Sequence, residues 1–266
     1  MLNRKQFKRV EKTWDEFWAE FWRIRLVGND DAADFKSQQV VEFCWKVLGI
    51  RKGHRVLDLA CGAGYQARYF AEKGAIVHGI DITPVLVRHA EKSFEARGLQ
   101  GTFEVADMRT FKVNQLFDHV VVLGMSFGFG SDSENIQTLK HIFSALKPGG
   151  KVLLTGQHPY GLSNHLGPEW LECDEGILVH RAEFDEETCR LGGSWELACP
   201  DGTIITEGDN PEQNGVRCYT VPEIRRILQE SGFTNVETYG AWYLPPQPIQ
   251  WFSMELIASA IKPKAN

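Results

Sequence analysis

The sequence predicts an α/β protein built on a doubly wound, mostly parallel sheet. Three observations predict it. Short apolar runs alternate with amphipathic helical stretches between residues 55 and 155. A glycine-rich turn, Cys61-Gly62-Ala63-Gly64, joins the first run to the helix that follows. Turn and helix-end residues such as Thr83-Pro84 and Lys147-Pro148-Gly149-Gly150 punctuate the junctions. Strands alternating with helices mean βαβ units, and right-handed crossovers put helices on both faces of the sheet.

Residues 10–25 space Val10, Trp14, Phe17, Trp18, Phe21 and Trp22 as one helical face. A second helix is expected over 34–49, so residues 1–50 read as N-terminal helices that cover a site. Strands are expected at Arg55–Ala60, Ala75–Ile80, Thr102–Val105, His119–Leu123 and Lys151–Thr155. Pro84 opens the helix after the second strand, at a position where its missing N–H costs nothing. Residues 157–218 break the rhythm with turns and hairpins at Glu183-Phe184-Asp185-Glu186, Gly192-Gly193 and Pro200-Asp201-Gly202. A segment this long is expected to be a β-rich lid or substrate-binding insertion. The α/β pattern returns over 219–266, with a helix at Val221–Ser231 and strands at Thr234–Tyr239 and Phe252–Ile261. The main domain is therefore read as 51–156 plus 219–266.

Composition narrows the function. The net charge is −6, with Lys and Arg dispersed, so a nucleic-acid partner is not expected. No apolar run is long enough to span a membrane, and the basic N-terminus lacks the apolar stretch of a signal peptide. A cytoplasmic location is expected. Six cysteines, at 44, 61, 173, 189, 199 and 218, form no C-x-x-C pair and are read as reduced thiols. No metal-holding acid pair stands out, and no metal is expected.

Ligands on such sheets bind beyond the carboxyl ends of the strands. Residues just after 60, 80, 106, 123 and 155 should ring one site. Gly62 and Gly64 suit a loop that lets backbone approach a ligand closely. The spacing Gly62-x-Gly64-x-x-Ala67 also satisfies a dinucleotide fingerprint. Three acids argue otherwise. Asp58 lies inside the first strand's end, Asp81 ends the second strand, and Asp107 follows the third. Asp58 would sit badly beside a pyrophosphate, whereas a sulfonium cofactor carries positive charge and no phosphate. Asp81 can accept bonds from ribose hydroxyls, and Asp107 from an exocyclic amine.

Taken together, Val56-Leu57-Asp58-Leu59-Ala60-Cys61-Gly62-Ala63-Gly64, Gly79-Ile80-Asp81, Ala106-Asp107-Met108, Phe117-Asp118-His119-Val120-Val121 and Leu146-Lys147-Pro148-Gly149-Gly150-Lys151 resemble the class I S-adenosylmethionine-dependent methyltransferases, of small-molecule type. The resemblance covers roughly residues 50–156. It implies a Rossmann-like sheet of seven strands, with Phe252–Ile261 as an antiparallel last strand. It implies that S-adenosylmethionine is the cofactor. The loop of Ala60, Cys61, Gly62 and Gly64 would lie under its methionine part. Asp81 with Ile82 would hold the ribose, Ala106, Asp107 and Met108 the adenine, and Leu123 and Gly124 would flank the cofactor. Trp18, on the helical cover, is a candidate for cation–π contact with the sulfonium, and Arg23 or Arg25 for pairing the methionine carboxylate. Ala60 departs from the family's usual glycine.

Methyl transfer is an in-line displacement, so alignment and exclusion of water matter most. His158 is the leading candidate base, with Tyr160 behind it and His165 weaker. Trp14, Ser126, Arg217 and Tyr219 are candidate acceptor contacts; Arg217 suits an acidic group or a salt bridge equally. Trp242-Tyr243-Leu244-Pro245-Pro246 suits a pocket rim or a packed plug. The family's N6-adenine signature is missing after the fourth strand, which reads Leu123-Gly124-Met125-Ser126-Phe127. The leading reading is a methyltransferase acting on a small molecule through N, O or C, as a monomer or homodimer. The alternatives are an enzyme that cyclises or cleaves the same cofactor, a non-catalytic cofactor-binding protein, and a nicotinamide dehydrogenase.

Overall fold

The computed structural model describes residues 7–26, 30–162, 166–208 and 215–264. In chain order the elements are β1 (Lys8–Lys12), α1 (Trp14–Leu26), α2 (Asp30–Leu48), β2 (Arg55–Leu59), α3 (Tyr65–Glu72), β3 (Ile76–Asp81), α4 (Pro84–Ala96), β4 (Gly101–Val105), β5 (Phe117–Val122), α5 (Asp132–Ala145), β6 (Leu146–Gln157) and α6 (Pro159–Leu162). They continue with β7 (Pro168–Cys173), β8 (Gly176–Asp185), β9 (Arg190–Ala198), β10 (Thr203–Glu207), β11 (Val216–Arg217), α7 (Val221–Glu230), β12 (Thr234–Tyr239) and β13 (Glu255–Ile261).

Successive side chains of a strand face opposite sides, so near-continuous apolar runs make a sheet that is buried on both faces. Leu57, Leu59, Val120, Val122 and Leu154 pack on Leu139, Ile142, Ile224 and Leu228 of α5 and α7. Val56, Val121 and Leu153 face the other way, onto Phe43, Leu48 and Phe70 of α2 and α3. The seven strands run β12-β13-β6-β5-β2-β3-β4, and only β13 is antiparallel to its neighbours. Strand order reverses between β2 and β5, which places a crevice beyond their carboxyl ends. The fold is the expected α/β class, antiparallel last strand included.

A second sheet, β1-β10-β9-β8-β7 with β11 on β9, forms from the segment between β6 and α7. Its first strand comes from the N-terminus, where the sequence reads as helix from residue 10. Lys8–Lys12 instead pairs in parallel with Thr203–Glu207. Phe17, Phe21 and Ile24 of α1, spaced four and three apart, pack on Leu178 and Leu197 of this sheet.

Two further readings change. Gly192-Gly193 is not a turn but lies inside β9, because a Cβ on Gly193 would collide with the carbonyl oxygen of Arg181 on β8. The turn expected at Glu183-Phe184-Asp185-Glu186 does form, at Asp185, whose Oδ1 accepts the N–H groups of Glu187 and Thr188. The last strand starts at Glu255 rather than Phe252, because Ser253 N–H closes a turn onto Gln250 O at 3.0 Å.

Candidate functional site

The loop between β2 and α3 turns sharply. Ala60, Gly62 and Gly64 all take left-handed backbone, at φ 58°, 55° and 81°. Ala60 does so with a Cβ, which is the strained case. Gly64 must be glycine for a second reason: a Cβ there would lie 2.8 Å from Ala90 Cβ on α4. Cys61 N–H donates to Ile80 O at 3.1 Å, which ties the loop to the end of β3.

Asp81 holds the loop from the side. Its Oδ2 accepts Gly62 N–H at 2.8 Å and its Oδ1 accepts Thr83 N–H at 2.9 Å. Burial pushes the Asp81 carboxyl up, against those two backbone bonds and a side-chain bond from Thr83. Asp58 is almost fully buried, and its Oδ2 has no hydrogen-bond partner among the described residues. Burial, then the charge of Asp81, pushes the Asp58 carboxyl up to about 8. A buried carboxylate oxygen with no donor is costly and calls for a cationic or donating ligand. Beside a glycine loop that admits close approach, this donor set fits a phosphate-free, positively charged cofactor.

Asp107 lies after β4, where Ala106 N–H donates to Asp81 O at 3.1 Å. Arg109 grips both its carboxylate oxygens, with Nε 3.1 Å from Oδ1 and an Nη 2.7 Å from Oδ2. Burial works to raise the Asp107 carboxyl, but the Arg109 bonds outweigh it and hold it below its usual range. Arg109 also reaches Glu134 on α5. Ile82 is exposed beside Asp81, and Met108 packs partly on the core.

Leu123, Gly124, Met125 and Ser126 follow β5. Leu123 is buried, while Gly124 and Met125 take φ 66° and 60°. Met125 N–H donates to Thr155 Oγ1 at 2.8 Å, so the buried threonine at the end of β6 braces this strained loop. Phe127 packs against Tyr219 with ring centroids 5.6 Å apart.

Two candidate acceptor contacts have other partners. Arg217 pairs with Glu223 and Asp132 and also donates to Cys218 O, so the salt-bridge alternative describes its contacts. Tyr219 is buried and its hydroxyl accepts from Asn135 at 3.0 Å. Arg190 of β9 joins the same network through Gly130 O, Gly215 O and Asp132.

His158 is buried at the end of β6. Its Nδ1 lies 3.0 Å from Ser253 O and its N–H donates to Met254 O at 2.8 Å. A carbonyl only accepts, so Nδ1 carries the proton and neutral His158 keeps its lone pair on Nε2. Burial lowers its basicity, against the bond to Ser253. Tyr160 is exposed and stands edge-on to His158, centroids 5.3 Å apart. The side chains of Trp14, Trp18 and Arg25, and all of His165, lie outside the described residues. Arg23 pairs with Glu20 and Glu175. Trp242 is a plug, buried on Phe43, with Nε1 donating to Glu255 at 2.7 Å.

The sequence reading missed four contributors. Arg109 had a local signal, lying two residues after Asp107. Thr155 stood at a strand end, and its role shows only once β5 and β6 pair. Ser253 and Arg190 had no signal, since their partners lie 95 and 60 residues away.

The geometry can be set against known proteins. A family model described as a methyltransferase domain matches residues 56–150. A glycine/sarcosine N-methyltransferase from Halorhodospira halochloris is 27% identical over 220 residues, covering 79% of this chain and 78% of that protein. An S-adenosylmethionine-dependent methyltransferase from Clostridium acetobutylicum has a similar structure, with a TM-score of 0.69 and 18% identity over 95% of this chain and 99% of that one. CalS10, an amino pentose methyltransferase from Micromonospora echinaspora solved with S-adenosylmethionine bound, gives a TM-score of 0.62 and 18% identity over 91% and 96% of the two chains.

Proposed function

Because the chain carries a class I S-adenosylmethionine-dependent methyltransferase domain, we propose that it methylates the nitrogen of a small amine. S-adenosylmethionine supplies an electrophilic methyl: the nitrogen lone pair forms the C–N bond as the C–S bond breaks, S-adenosylhomocysteine leaves, and the nitrogen loses a proton.

The residues take these roles. The Ala60–Gly64 loop and Asp58 bind the methionine end, with Asp58 answering its positive charge. The Asp81 carboxylate takes the ribose hydroxyls. The Asp107 oxygens, held in place by Arg109, take the adenine amine, with Ala106 and Met108 alongside. Leu123 and Gly124 flank the cofactor. That arrangement uses the β2–β4 side of the crevice and leaves the ends of β5, β6 and β13 for the acceptor. The second sheet serves as the lid.

The observation that supports a proton-accepting step is the His158–Ser253 bond, which puts the proton on Nδ1 and leaves Nε2 to take one from the acceptor; the choice of nitrogen rests on the named relative. The Halorhodospira relative, named a glycine/sarcosine N-methyltransferase, is consistent with such an acceptor.

The test is titration with S-adenosylmethionine in a calorimeter, then mass spectrometry after incubation with primary and secondary amines and with hydroxyl acceptors. Amine products gaining one methyl are expected. Methylation of hydroxyl acceptors alone would defeat the nitrogen assignment. Conversion of the cofactor without any acceptor would replace it with a cyclase or lyase.

A further inference from the structure

An apolar shelf lies beside His158. Tyr160, Trp251 and Phe252 are 60%, 69% and 56% exposed, and Met254 is 38% exposed. They come from two segments, α6 and the turn before β13, that touch through their backbones. A Cβ on Gly161 would collide with the carbonyl group of Ser253, so this glycine is what allows the approach. The same turn supplies Ser253 O and Met254 O to His158. Trp251 and Phe252 stand edge to face, centroids 5.5 Å apart, as Tyr160 and His158 do at 5.3 Å. Scattered surface apolar residues need no explanation, but exposed rings on two touching segments beside a buried histidine do.

Arg190 and Arg217, which approach the loop after β5, are already paired with Asp132 and Glu223, and aromatic faces attract cations.

We propose that Tyr160, Trp251, Phe252 and Met254 form the specificity shelf for the acceptor, and that the acceptor is an amine on an aromatic or similarly apolar body. The proposal rests on the N-methylation reading and narrows it. It separates this chain from an enzyme of glycine or sarcosine.

The test compares 2-phenylethylamine and tyramine with glycine and sarcosine, using saturating S-adenosylmethionine. The arylalkylamines are expected to be methylated with kcat/KM at least about tenfold above the amino acids. Phe252→Ala and Trp251→Ala should each raise KM for 2-phenylethylamine about three- to tenfold. Cofactor affinity should not change, and Phe252→Tyr, which keeps the ring, should restore KM. A preference for glycine or sarcosine would overturn the shelf and leave N-methylation standing. No product from any amine, with the cofactor bound, would overturn the N-methylation reading itself. Unchanged KM in both alanine variants, with dimers falling to monomers on sedimentation, would make the shelf a subunit interface and sink the proposal.

Discussion

Asp58 is the residue whose charge state links folding to the site. Its carboxyl sits near 8 in the folded chain, through burial and then the Asp81 charge, against about 4 in an unfolded one. Between those values the folded state holds a proton that the unfolded state has released. Stability of the ligand-free protein should therefore fall as pH rises from about 4 to 8, by up to about 1.4 kcal/mol per pH unit. Asp58→Asn should flatten this decline in thermal melts and weaken S-adenosylmethionine binding; a slope equal to the parent's would show that Asp58 is not the group responsible. A cation favours the ionised carboxylate, so cofactor affinity should climb with pH toward 8, with proton release visible in calorimetry across two buffers. Asp81 acts differently, because it is already bonded to Gly62 and Thr83. Asp81→Ala should cost about 1–3 kcal/mol of cofactor binding, the worth of charged hydrogen bonds. Undiminished affinity with an intact fold would remove Asp81 from the ribose.

At the scale of elements, the β2–α3 loop carries the sharpest expectations. Ala60 holds a left-handed φ of 58° that glycine adopts freely. Ala60→Gly should relieve the strain and stabilise the protein by about 0.5–1 kcal/mol, the left-handed penalty less the added chain entropy. Gly64→Ala should do the opposite, losing about 1–3 kcal/mol, since φ is 81° and the new methyl would meet Ala90. Chemical denaturation of the two variants reads both signs. A destabilised Ala60→Gly would mean that the alanine methyl packs better than its backbone suffers. The expected strands and helices of the main sheet were legible because each repeats its period locally: two-residue alternation or buried runs for strands, three-to-four spacing for helices. Boundaries at Phe252 and Gly192 were not, because a turn bond from Ser253 and a close approach to Arg181 decide them.

At the scale of the molecule, α1 joins the second sheet to the rest. Phe21 stacks near Phe17 and meets Trp195 edge to face at 4.6 Å, over Leu178 and Leu197. Phe21→Ala should remove about 3–5 kcal/mol from that small core. Limited proteolysis should then cut the 168–208 region faster, while hydrogen exchange in β2, β5 and β6 stays slow. Equal cleavage of variant and parent would mean that the sheet stands without α1. Separate cores explain the expectation: the second sheet shares α1 with its own cluster, and the parallel sheet has clusters on each of its two faces.

From the sequence alone came the α/β class, the glycine loop, and the three acids at successive strand ends. Each is a local matter: backbone that only small residues allow, or a side chain set at the end of a run whose period is visible. Asp58, Asp81 and Gly64 were found for that reason. Tertiary structure decided where long-range partners meet. Lys8 pairs with Thr203 and makes a strand of a segment that reads as helix. Ser253 sets the proton on His158, and Glu223 and Asp132, from two other elements, meet the Arg217 guanidinium. Strand edges and buried charges find whichever complementary group the fold delivers, and neither a hydrogen-bonding edge nor a guanidinium carries in its own sequence the address of a partner so far along the chain.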